Sequence, residues 1–95
     1  MGKVKLHDLH TILDLMDEAI SKTKLLLSIS IGVFGKENRY MSVDFCACEM
    51  QPDETLVSVF RAHFYIGERD FNTSASYVKC KNFLLSLIKG EGENV

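Results

Sequence analysis

Apolar residues first recur at helical spacing. Leu9, Ile12, Leu13, Met16, Ala19 and Ile20 fall three or four apart, which predicts an amphipathic helix over about 7–22. Asp8 is placed to cap its start, since its carboxylate can accept from the orphan amides of the first turn. The period then changes to two. Leu25, Leu27, Ile29, Ile31 and Val33 alternate with Leu26, Ser28, Ser30, Gly32 and Phe34, as in a half-buried strand. A turn at Gly35-Lys36-Glu37-Asn38 leads to a second alternating segment, with Met41, Val43, Phe45 and Ala47 against Tyr40, Ser42, Asp44, Cys46 and Cys48. Gln51-Pro52-Asp53-Glu54 makes the next turn, Pro52 presetting its φ. The third strand sets Leu56, Phe60, Ala62, Phe64 and Ile66 on one face and Val57, Val59, Arg61, His63 and Tyr65 on the other. A charged loop over 67–72 follows. Thr73 or Ser74 is the expected cap of a second helix with the stripe Tyr77, Cys80, Leu84, Leu87 and Ile88. Gly90 suits its left-handed end.

The expected fold class is therefore α+β, in the order α-β-β-β-α. Short turns make the three strands an antiparallel meander, and both apolar helix stripes must cover the same sheet face. Met41, Val43, Phe45, Phe60, Phe64, Leu84, Met16 and Leu13 are the expected core. Residues 1–90 read as a single domain, and 91–95 as a mobile tail with nothing to bury.

A four-residue turn between the second and third strands also implies a register. It sets Asp44 opposite Arg61, Ser42 opposite His63, Tyr40 opposite Tyr65, Cys46 opposite Val59 and Cys48 opposite Val57. The uncovered sheet face then has a polar middle and an apolar border of Leu26, Phe34, Tyr40, Val57, Val59 and Tyr65.

Composition narrows the class without naming a function. In 95 residues, 46% are hydrophobic and 25% charged, which fits an ordinary globular domain that buries only about 60% of its unfolded surface. A thin core of this kind gains from a second subunit. No run approaches the roughly 20 apolar residues of a membrane span, and the first residues lack an apolar signal core, so the expected location is the cytoplasm. Three cysteines, an odd number, make no disulfide framework. A net charge of −2 offers no general attraction to nucleic acid or anionic lipid.

Each candidate chemistry has a weakness in its spacing. Ser42, His63 and Asp44 contain the residue types of a hydrolase triad, but a flat strand offers no free amides for an oxyanion and no Gly-x-Ser-x-Gly is present. Cys46 and Cys48 point to one face and could begin a zinc site with His63, yet Cys80 belongs under the sheet and no fourth ligand follows. His7, His10 and Asp14 share a helix side without the His-Glu-x-x-His order. No glycine-rich phosphate loop precedes a helix. The reading is therefore of no enzyme, no metal and no cofactor.

The element order resembles that of double-stranded-RNA-binding domains. Such domains grip phosphates with lysines at the start of the last helix. Here that segment is Asn72-Thr73-Ser74-Ala75-Ser76, without a base, so the likeness stops at the order.

What remains is a protein-interaction module: a homodimer, or a small adaptor or inhibitor of the kind phages and mobile elements encode, docking on a larger complex through the open face or an edge strand. Leu26, Phe34, Tyr40, Asp44, Val57, Val59, Arg61, His63 and Tyr65 are its expected contact residues. Nucleic-acid or small-ligand binding on the same face is the alternative, with Tyr40 and Tyr65 stacking a base and Arg61 meeting a phosphate.

Overall fold

A computed structural model describes residues 4–37, 39–67 and 73–90. Its order is α1 (Leu6–Ala19), β1 (Leu26–Phe34), β2 (Tyr40–Met50), β3 (Leu56–Gly67) and α2 (Ser74–Lys89). The strands form one antiparallel sheet in the order β1-β2-β3. The expected loop at 68–72 and the tail at 91–95 lie outside the described residues.

Helix α1 begins one residue earlier than its apolar spacing suggests. Lys5 is the N-cap, and Asp8 sits in the first turn, where its carboxylate accepts the Lys5 backbone N–H at 2.8 Å. Asp8 thus completes the helix start from inside, rather than standing as the cap itself. Gly90 ends α2 with φ 82°, its N–H donating to the Leu87 carbonyl at 3.0 Å. That left-handed conformation is open to glycine without the Cβ clash an L side chain meets.

Thr73 is the N-cap of α2, but its side chain does not cap it. Its hydroxyl accepts from the Tyr65 N–H at 3.0 Å and donates to the Tyr65 carbonyl at 3.3 Å. One side chain therefore satisfies both backbone groups of an edge residue of β3 and ties the last helix to the sheet.

One apolar layer holds the parts together. Leu9, Ile12 and Ala19 of α1, Val43, Phe45, Ala47, Ala62, Phe64 and Ile66 of the sheet, and Cys80, Leu84 and Leu87 of α2 are buried in a single cluster. Both helices accordingly lie on one sheet face. Phe60 stacks on Phe83 with ring centres 4.2 Å apart, and both rings meet Phe45. Of the expected core, Val43, Phe45, Phe64 and Leu84 are fully buried, while Met16, Met41 and Phe60 pack at its margin. Leu13 is not core: it stays exposed, as does Ile20, whereas Leu15 turns in against the cluster. The apolar arc of α1 is wider than the contact it makes, and its packing against α2 and the sheet selects the Leu9–Ile12–Leu15–Ala19 side.

The register between β2 and β3 differs from expectation by two residues, for two separate reasons. The connection takes five residues, so Met50 pairs with Leu56. Within it Gln51 N–H donates to the Thr55 carbonyl, Glu54 N–H returns to the Gln51 carbonyl, and Glu54 adopts φ 69°. A bulge then skips Val59, so that Cys48 pairs with Ser58 but Ala47 with Phe60. Each insertion alone reverses the faces of β3. Together they restore them, which is why Phe60, Ala62, Phe64 and Ile66 still reach the core. Asp44 consequently faces His63, Ser42 faces Tyr65, Cys46 faces Arg61 and Tyr40 faces Gly67.

Two stability outcomes follow. Phe45→Ala removes a fully buried ring and should cost about 3–5 kcal/mol, read from denaturant unfolding; a loss below about 1 kcal/mol would contradict the packing described. Burial pushes the Cys80 thiol from 9.0 up to about 12. Its folded pKa is raised, so its contribution is intact below pH 9 and is lost as pH rises toward 12, at about 1.4 kcal/mol per pH unit. Cys80→Ala should flatten that part of the stability–pH curve.

Candidate functional site

The sheet face away from the helices has no described element over it, and the molecule measures only 19 Å along its shortest axis. Three regions follow one another across this face. At one end is an aromatic row. Phe34 and Tyr40 stack with centres 5.4 Å apart, Tyr40 meets Tyr65 edge-on at 6.0 Å, and Tyr65 meets His63 edge-on at 4.7 Å. Cross-strand pairing of Phe34 with Tyr40 on β1 and β2 starts the row; His63 extends it because it lies two residues from Tyr65 on the same side of β3, while the two-residue shift sets His63 opposite Asp44. Phe34 also folds back over Gly32, where a Cβ would stand 2.6 Å from its ring. A glycine there leaves the ring room to lie flat on the strand.

The middle is polar. Asp44 Oδ1 lies 3.0 Å from His63 Nδ1 and 3.8 Å from an Arg61 guanidinium nitrogen. His63 is directly opposite Asp44 and Arg61 is its diagonal neighbour, so the expected Asp44–Arg61 contact is present but takes second place. Ser30 sits on the other side of Asp44. With both side chains well exposed, water screens the ion pair.

At the far end, Cys46 and Cys48 bring their sulfurs to 3.4 Å, and Cys46 Sγ lies 3.7 Å from Ser58 Oγ. The hydrogen bond with Cys46 is the chief cause raising the Cys48 thiol above its ordinary value. A raised pKa keeps the thiol protonated at neutral pH, the reverse of what a reactive thiolate needs. Among the described residues, no three His, Cys, Asp or Glu side chains are grouped to hold a metal ion.

The arrangement does not assemble the triad types. Ser42 is opposite Tyr65 rather than His63, and Asp44 and His63 are joined without it. Of the expected contact residues, Leu26, Phe34, Tyr40, Asp44, Arg61, His63 and Tyr65 share the outer face. Val57 does not. It pairs with Glu49, and residues directly opposite point to the same side, so the five-residue connection turns Val57 toward the helix side. Leu56 and Ser58 take its place on the outer face, and exposed Met50 pairs with Leu56 there. Val59 is exposed at the bulge itself. Ser58 carried a readable signal: a polar residue among Leu56, Phe60 and Ala62 breaks the apolar side of a strict alternation, as a bulge does.

A shallow apolar cleft of about 310 Å³ lies at the end of the sheet between Val33, Met41, Ile66 and the backbone around Gly67. Gly67 permits it: a Cβ there would meet the Arg39 carbonyl at 2.6 Å and Tyr40 Cα at 2.7 Å.

Compared with known proteins, the chain matches no family model, no curated relative and no solved structure.

The geometry of the polar middle gives a modest expected effect. Asp44→Ala breaks both exposed contacts and should lower stability by only about 0.2–1 kcal/mol, shrinking further at high salt. A salt-insensitive loss above about 2 kcal/mol in denaturant unfolding would show that Asp44 carries something other than these pairs.

Proposed function

We propose that this chain is a non-enzymatic protein-interaction module that docks through its exposed sheet. One observation carries the reading: Leu26, Phe34, Met50, Leu56 and Val59 are exposed at the borders of a face that nothing described covers. Exposed apolar groups gathered at both ends of an uncovered face are more than a small domain leaves in water without a use, and they mark a contact site. The polar middle fits the same role. Asp44, His63 and Arg61 are paired in place, so they favour a complementary orientation more than they add affinity. Its polar side chains are open to water, with Arg61 68% and Asp44 41% exposed, whereas preorganised groups act on a reacting bond where water is excluded. A homodimer and a small adaptor or inhibitor on a larger assembly are both versions of this reading.

The aromatic row supports nucleic-acid or small-ligand binding as a second reading, since Tyr40 and Tyr65 offer rings and Arg61 a cation 68% exposed. Phe34, Tyr40 and Tyr65 already contact one another, however, and Asp44 holds a negative charge beside Arg61. Both features disfavour a phosphate chain.

Tyr65→Asp and Val59→Asp each place a charge in the face without touching the buried cluster. Where the contact is the outer face, each should weaken association about ten-fold or more, equivalent to about 1.4 kcal/mol, with far-ultraviolet circular dichroism unchanged, whereas a contact through the β1 edge is indifferent to both. Association is read by sedimentation at micromolar concentration for self-assembly, and by titration for a purified partner. Association indifferent to both substitutions would rule out the face. Affinity for single-stranded nucleic acid that falls steeply with salt would select the second reading.

A further inference from the structure

We infer that β1 is the docking edge and that its occupant is the β1 strand of a second copy of this chain, paired antiparallel about a two-fold axis at Ser30. This rests on the interaction-module reading and names its partner. The two edges of the sheet are unlike. On β3, Thr73 takes up both backbone groups of Tyr65, a bulge interrupts the strand at Val59, and Arg61 adds a charge. Bulges and charges are what keep an edge from pairing with another chain. β1 has none of them. It is nine residues, Leu-Leu-Ser-Ile-Ser-Ile-Gly-Val-Phe, without a charge, a proline or a bulge. Among the described residues, no backbone hydrogen bond outside the sheet involves it.

The occupant follows from the side-chain order of that strand. An isologous contact requires a surface complementary to itself. With Ser30 opposite Ser30 of the partner copy, Leu26 meets Phe34, Leu27 meets Val33, Ser28 meets Gly32 and Ile29 meets Ile31. Large apolar residues meet large apolar residues, and small ones meet small ones, on both faces. Gly32 and Ser28 together leave space for the Phe34 ring, which already lies over Gly32. The helix side is complementary as well. Leu27 and Ile29 pack against the core, whereas Ile31 is 44% and Val33 70% exposed. The pairing sets the bare half of each strand beside the covered half of the other, and two uncharged strands meet without repulsion. The product is one six-stranded sheet with all helices on the same side.

The test compares five variants with the unaltered chain. Sedimentation equilibrium at micromolar concentration should give twice the chain mass. Val33→Glu alters a side chain already in water, so the fold should persist, while a charge against Leu27 of the partner copy should weaken the dimer about ten-fold or more. For register, Ser30→Cys in a Cys46→Ser/Cys48→Ser background should form a covalent dimer on mild oxidation. In that background Ser28→Cys should not, because its two copies would lie ~13 Å apart along the strands. A monomer throughout the micromolar range overturns the inference, and docking of some other protein is then judged by Tyr65→Asp and Val59→Asp alone. A dimer that survives Val33→Glu but dissociates with Tyr65→Asp moves the contact to the outer face, overturning the edge pairing and sustaining the broader reading. Cross-linking through Ser28→Cys but not Ser30→Cys also overturns it, by excluding the register.

Discussion

A sheet has two faces, and helices of 14 and 16 residues joined to its ends can cover only one of them. The rest of this structure depends on that inequality. The covered face is bound by a single apolar layer in which Phe45, Phe64, Ile12 and Leu84 exclude water completely. Each such side chain contributes on the order of 1.5–3 kcal/mol when removed from solvent. This layer must offset nearly all the conformational entropy lost on ordering the chain, because the opposite face contributes only exposed pairs. The fold is stable from one side and available from the other.

Availability has a definite pattern. Aromatic rings gather where the ends of β1 and β3 lie beside the start of β2. Charges are matched at the centre, and sulfur and hydroxyl groups occupy the end nearest the β2–β3 connection. The side chains of the face are therefore mostly engaged with one another, which limits the cost of ordering them when a partner arrives. The edges differ more than the faces do. α2 and the Thr73 hydroxyl protect β3, since α2 follows β3 directly in the chain and packs on it. β1 has only a short connection from α1, whose cover stops before Ile31 and Val33.

The bulge at Val59 shows how much one residue controls. A five-residue connection alone would have turned Phe60, Ala62, Phe64 and Ile66 to the solvent side, exposing much of the core. The extra residue reverses the alternation a second time, at the point where the Phe60 and Phe83 rings begin the covered part of the hairpin. Between connection and bulge the reversed phase persists. There Leu56 and Ser58 lie outward and Val57 inward, and the contact surface is composed of different side chains from those a continuous alternation implies.

The sequence by itself determined the element order, the antiparallel meander, the covered face and most of the buried residues. These follow from periodicity: 3.6-residue recurrence in α1 and α2, two-residue recurrence in the strands, and Gly and Pro where the chain reverses. All are local properties. It also determined that Asp44, Arg61 and His63 share a face, because an even shift of register preserves parity. Only the tertiary structure decided which of them meet. Register depends on how many residues a turn consumes and whether a bulge intervenes, and both are set by packing at the far side of the sheet rather than by the alternation itself. The same holds for Leu13 and Leu15, which flank the apolar stripe of α1 on opposite sides until its packing against α2 and the sheet takes in Leu15 and leaves Leu13 exposed. It holds too for Thr73, whose hydroxyl could cap its own helix but instead satisfies Tyr65, a partner eight residues away that only the folded chain brings within 3.0 Å.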